Sequence, residues 1–273
     1  MALLYNNINV SVNNSNIVAE SVNITETSPQ KPIFMLNNKL PYSYVPSKVQ
    51  SNISISYLME PSNEPGYQVI TGLLFDRSIP ISSIVGIGSV YMTGYLSSYS
   101  FQLTPNSLVK VNAQYDVFYP VTGNLANQNS GDSSVYDITN SSGIAHYWSA
   151  AFYSGNNISD SKILQIDYVI DFSIIPIYGL GDNIPKQIYF DGITENINIL
   201  GEIQNNLTYT GQYINSVFQS LGVLKLSNIS STWNNTNNSS IYISMTGFIM
   251  EEMSTAINTN SLVFFNTKLN RYS

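Results

Sequence analysis

The stretch Pro32-Ile33-Phe34-Met35-Leu36-Asn37-Asn38-Lys39-Leu40-Pro41 recurs without a gap, 144 residues later, as Pro176-Ile177-Tyr178-Gly179-Leu180-Gly181-Asp182-Asn183-Ile184-Pro185. The same offset sets Asn52-Ile53-Ser54-Ile55 on Asn196-Ile197-Asn198-Ile199, and Val22 and Ile24 on Ile166 and Tyr168. A short motif repeats by chance in a chain rich in Asn, Ile and Ser, but one register held across three segments points to a duplicated module. The two prolines of each copy fix φ and lack a donor. Each pair therefore marks the end of one strand, an exposed turn and the start of the next.

Outward from this stretch the pattern is that of strands. Runs 17–24, 51–58, 109–119, 163–175 and 241–249 alternate apolar and polar residues and are bounded by Asn, Gly, Pro and Ser, which predicts half-buried strands. The clearest has Val109, Val111, Ala113, Tyr115 and Val117 on one face and Lys110, Asn112, Gln114 and Asp116 on the other. Helical spacing is confined to Ile214, Val217, Phe218 and Leu221 before Gly222, which predicts a short helix over 211–221. The corresponding interval of the first copy, 83–90, carries glycines that weaken a second helix. The fold class expected is all-β with one or two short helices, arranged as two duplicated sandwich-like modules. Their bounds are 1–123 and 163–273, with a polar linker at 124–162.

That linker contains an aromatic island from Ile144 to Tyr153, in which lies the sole histidine, His146. Tyr147, Trp148, Phe152 and Tyr153 are candidate interface residues, because aromatic side chains offer large contact area with few rotamers to freeze. The plainer alternative is a strand completing the first module's sheet.

At 273 residues the chain accommodates two modules, each with its own core. Charged residues are 10% of the chain, so its polar positions are filled by neutral hydrogen-bonding side chains that repel copies of themselves weakly. With ten Lys and Arg against seventeen Asp and Glu, and no basic cluster, a nucleic-acid-binding face is not expected. The absence of cysteine excludes disulfides, thiolate metal sites and thiol nucleophiles. Asn6 and Asn7 follow the first five residues directly, so no secretory signal is expected; nor does any apolar run reach membrane-spanning length, and a soluble chain is the expectation.

Catalytic chemistry finds little support. A Ser-His-acid triad would have to pass through His146, and no nucleophile elbow is present. Asp167 and Asp171 share one strand face and Glu251 and Glu252 are adjacent, but neither pair has further ligands, so both read as solvated surface. Gly86-Ile87-Gly88-Ser89 lacks the remainder of a phosphate loop and reads as a turn. Asn-x-Ser/Thr triplets, such as those at Asn23, Asn52, Asn157, Asn206 and Asn228, are expected from composition. The chain is expected to be no enzyme and to need no cofactor or metal.

Taken in order, Val22 to Thr25, Pro32 to Phe34, Ser51 to Tyr57, Gly94 to Phe101 and Val111 to Phe118, echoed by Gln165 to Tyr168 and Pro176 to Tyr178, resemble virion structural proteins of tailed bacteriophages with tandem tail-tube-like β modules. The resemblance implies a tail-tube, neck or tail-adaptor protein, assembled in the host cytoplasm and resident in the virion. It implies self-association into rings, trimeric or hexameric, with other virion proteins as partners, double-stranded DNA only as passing cargo and no membrane. Three two-module chains would supply a ring of six. The alternative function is a carbohydrate-binding surface or fibre module, in which tyrosines stack on sugars.

Overall fold

The computed structural model describes residues 10–17, 19–28, 30–36, 39–46, 48–62, 64–75, 81–123, 145, 151–154, 161–203, 217–218, 222–227, 240–244, 247–256 and 264–272. Among the described residues the fold is all-β apart from one helix. Its strands are β1 (Val10–Val12), β2 (Ser15–Asn16), β3 (Ala19–Thr27), β4 (Gln30–Ile33), β5 (Ser43–Pro46) and β6 (Gln50–Leu58). Helix α1 (Pro65–Phe75) follows, then β7 (Ser82–Ile87), β8 (Val90–Leu103), β9 (Lys110–Val117), β10 (Ala151–Ser154), β11 (Ser161–Ile177) and β12 (Gln187–Ile203). The remainder are β13 (Val217–Phe218), β14 (Gly222–Ser227), β15 (Ser240–Ser244), β16 (Phe248–Ala256) and β17 (Phe264–Tyr272).

Twelve strands form one antiparallel sheet. Its spine runs β3-β6-β9-β8-β11-β12-β17-β16-β13, and β7, β1 and β2 branch from β8. Alternation decides which faces are buried: Ser51, Ile53, Ile55 and Tyr57 of β6, and Val111, Ala113, Tyr115 and Val117 of β9, all point into the core. One hydrophobic core draws on both halves of the chain. A separate three-stranded sheet, β10-β14-β15, adds Leu224, Leu226, Ile241 and Ile243 to it.

Backbone pairing repeats in detail. Val22 pairs with Ile55, and Ile166 pairs with Ile199, each 144 residues on. The β3–β6 ladder slips between Ala19 and Ser21, and the β11–β12 ladder slips between Ile163 and Gln165, at the same offset. At the far end, Tyr42 N–H bonds to Ile33 O (2.7 Å) and Lys186 N–H to Ile177 O (2.8 Å), closing the two hairpins identically. A second correspondence has an offset of 154. Tyr95 pairs with Asp116 and Ile249 with Asn270, with a bulge between Leu96 and Ser98 in β8 and between Met250 and Glu252 in β16. Bulges re-aim a strand and disturb its ladder, so their recurrence at matching positions is a stringent likeness. The order β3-β6-β9-β8 is thus followed, in the same sheet, by β11-β12-β17-β16.

Several expectations need correction. Within the interval 211–221, Val217 and Phe218 form β13, paired to Ile249 and Phe248, and not a helix. The sheet edge offers these β-branched and aromatic residues a ladder that helical periodicity does not reveal. The helix lies at Pro65–Phe75 instead, and 82–87 is strand. The run 241–249 is two strands, parted at Gly247, whose φ of 80° an L side chain rarely adopts. The aromatic island divides: Ala145 bonds through its backbone to Met59 (2.8 Å) and Val109 (2.9 Å) of the first unit, whereas residues 151–154 form a strand that pairs with β14.

Candidate assembly surface

The two four-stranded units meet where β8 pairs with β11, Leu103 opposite Ile166 through Ser98 opposite Asp171. Ser98, Tyr99, Ser100, Phe101 and Gln102 each pair with β9 as well as β11, so those neighbours lie on opposite edges of β8. On one face Phe101 and Tyr168 stack with centroids 5.1 Å apart. On the other, Ser98 Oγ donates to Asp171 (2.6 Å) and Gln102 Nε2 to Asp167 (2.7 Å). Asp167 and Asp171, read from sequence as plain solvated surface, therefore serve as acceptors across the junction. Stacking and charge-assisted hydrogen bonds over so short a ladder make the junction specific in register.

Two strand edges lie open among the described residues: there β3 pairs with β6 alone, and β16 beyond Ile249 pairs with β17 alone. Val22 and Ile24 on β3 are only partly buried, whereas Ile166 and Tyr168, at the corresponding places in β11, are buried under β8.

The two hairpins also project as arms. The first, β4–β5, exposes Ile33, Phe34, Met35, Leu36, Leu40 and Tyr42; the second, at the β11–β12 tip, exposes Ile175, Ile177, Leu180, Ile184 and Tyr189. Leu36 is 94% exposed and Leu180 is 107% exposed, so these apolar tips have no partner surface among the described residues. Gly181, with φ of 83°, makes the second turn, and Lys186 pairs with Asp182 (3.2 Å) to brace it. Lys48 Nζ sits 3.3 Å from the Tyr178 ring centroid, setting the first arm's base beside the second's neck.

Two buried polar clusters hold the sheet. Glu64, 2% exposed, accepts a hydrogen bond from Tyr57 Oη in a pocket shared with Tyr99 and Tyr115. Burial pushes its carboxyl up to about 8, although the Tyr57 hydrogen bond opposes the shift. Burial, then Glu64, raises the Tyr57 and Tyr99 phenols well above their ordinary value. This enclosed cluster ties the start of α1 to β6, β8 and β9. In the second unit, buried Glu195 pairs with Arg271, whose guanidinium also lies 4.7 Å over the Phe248 ring. At the corresponding ladder position of the first unit stand Ser51 and Val117.

The residues singled out from sequence fall unevenly. Phe152 and Tyr153 lie in β10, opposite Leu224 and Val223; Tyr147, Trp148 and His146 lie outside the described residues. Glu251 is engaged by Lys268 (3.1 Å) and Tyr272 (3.0 Å). Gly88, with φ of 62°, and Ser89 make the β7–β8 turn. Among the described residues no three His, Cys, Asp or Glu are grouped to hold a metal, and no helix is long and apolar enough to cross a membrane. The exposed turns at the arm tips were legible from their prolines, whereas the open edges of β3 and β16 were missed, because an edge's exposure depends on which strands find neighbours. Compared with known proteins, the sequence matches no family model and no curated protein.

Proposed function

We propose that this chain is a structural protein of a tailed-phage virion, of the tail tube or neck, whose activity is self-assembly into rings or tubes around a DNA channel. One observation carries the reading: two four-stranded units of matching register stand edge to edge in one sheet, with a strand edge at each end of the pair that is unpaired among the described residues. A unit that joins a copy of itself within the chain has the means to join another between chains, and a head-to-tail contact of this kind closes into a ring when its rotation permits. We take the two units as products of duplication, so that three chains supply a ring of six. The exposed apolar arms are suited to contacts between rings or with other virion proteins, and DNA is passing cargo.

The test is negative-stain electron microscopy over a concentration series, beside size-exclusion chromatography with light scattering. Rings or tubes are expected. A monomer at every concentration overturns the reading, and binding on a glycan panel in that case establishes a carbohydrate-binding module instead. Among the described residues the exposed Tyr42, Tyr91, Tyr189, Tyr242 and Tyr272 stand on separate elements.

A further inference from the structure

We infer that the β8–β11 junction is the template for a contact between chains, in which β16 of one copy pairs antiparallel with β3 of the next, Thr25 opposite Ser254. This rests on the self-assembly reading and supplies its interface and register.

Two strand positions are vacant among the described residues. Tyr95 of β8 pairs with both β7 and β9, so β7 and β11 follow one another along the edge of β8 away from β9. Ile249 of β16 stands 154 residues after Tyr95 and pairs with both β13 and β17. β13 thus occupies on β16 the place that β7 holds on β8. The place beyond it, held on β8 by β11, is empty on β16 among the described residues. The strand that matches β11 is β3, whose outer edge is the other vacancy.

The internal register then transfers by the two offsets. Asp167 opposite Gln102, Val169 opposite Ser100 and Asp171 opposite Ser98 become Asn23 opposite Ala256, Thr25 opposite Ser254 and Thr27 opposite Glu252. Val22 and Ile24 face the side on which Ile166 and Tyr168 are buried, so the contact would cover the apolar atoms that β3 leaves half exposed. An unpaired edge of nine residues with neither proline nor lysine is otherwise a hazard, and pairing with a copy removes it. The two partners present different strands, so the contact is heterologous and propagates around a ring.

The chain has no cysteine, which makes the test direct. Thr25→Cys and Ser254→Cys, both at exposed positions, are prepared separately, mixed under assembly conditions and oxidised. Directly opposed residues fall within disulfide reach. A disulfide-linked dimer at twice the 30.3 kDa chain mass is expected from the mixture and not from either variant alone. Ser21→Cys mixed with Ser254→Cys, four residues out of register, is expected to give none. Ser100→Cys with Val169→Cys in one chain should form an intrachain bond and reports that the template is intact. Assemblies seen by microscopy with no Thr25–Ser254 link overturn this register and leave self-assembly standing; a chain that neither assembles nor links overturns both.

Discussion

At the scale of single residues, the buried carboxyl of Glu64 makes a pH-dependent contribution whose sign follows from its surroundings. The folded chain keeps this group protonated up to about 8, whereas the unfolded chain releases the proton near the ordinary 4.5. Between those values the folded state binds more protons, so stability is greatest at the acidic end and falls as pH rises. The slope from this one group is at most about 1.4 kcal/mol per pH unit. Glu64→Gln keeps the shape without the charge and is expected to flatten the dependence, read as denaturation midpoints across that window. The Glu195–Arg271 pair makes a second case. Arg271→Leu leaves a buried carboxylate without its cation and should cost about 3–5 kcal/mol in chemical denaturation. Replacing both, Glu195→Ser with Arg271→Val, reproduces the pair that the first unit uses at that ladder position and should recover most of the loss.

At the scale of elements, the arms separate folding from association. Leu36 and Leu180 cap equivalent hairpin tips and touch little else, so Leu36→Asp and Leu180→Asp should change stability by no more than about 0.5 kcal/mol. Placing charge on the apolar tips is expected to shift the onset of assembly, followed by light scattering, to higher protein concentration. Unchanged onset would show that the arms take no part. The long strands of the second hairpin carry their ladder to the tip, β11 and β12 pairing without interruption from Ile174 through Ile177. By contrast α1 depends on its setting. Its N-terminus carries Pro65 at the position proline tolerates best, and Gly66 leaves room for the Tyr99 ring, which a Cβ would meet at 2.4 Å.

At the scale of the whole molecule, the two units are joined through a ladder, and their apolar faces merge into one core. Joining by backbone pairing makes the relative placement of the units a matter of register, and a one-residue slip would turn every side chain of β11 to the wrong face. The same constraint is what gives the β16–β3 contact a defined register.

Much of the strand character could be read along the chain, and so could the shared register of the two hairpins. Period-two burial was legible in Val109 to Val117, and the 144-residue offset carried the hairpin register, including turns closed at Tyr42 and Lys186. Both are local consequences of alternation and of proline and glycine geometry. Helix α1 carried a weaker signal, Pro65 before Val69 and Ile70, and the helical spacing around Val217 misled because its strand partner, β16, lies thirty residues away. That β8 takes β11 on the edge left open by β9, that Glu195 meets Arg271, and that the outer edges of β3 and β16 have no partner among the described residues emerged from tertiary packing alone. Those outcomes depend on which distant strands compete for a ladder, and no spacing along the chain encodes that competition.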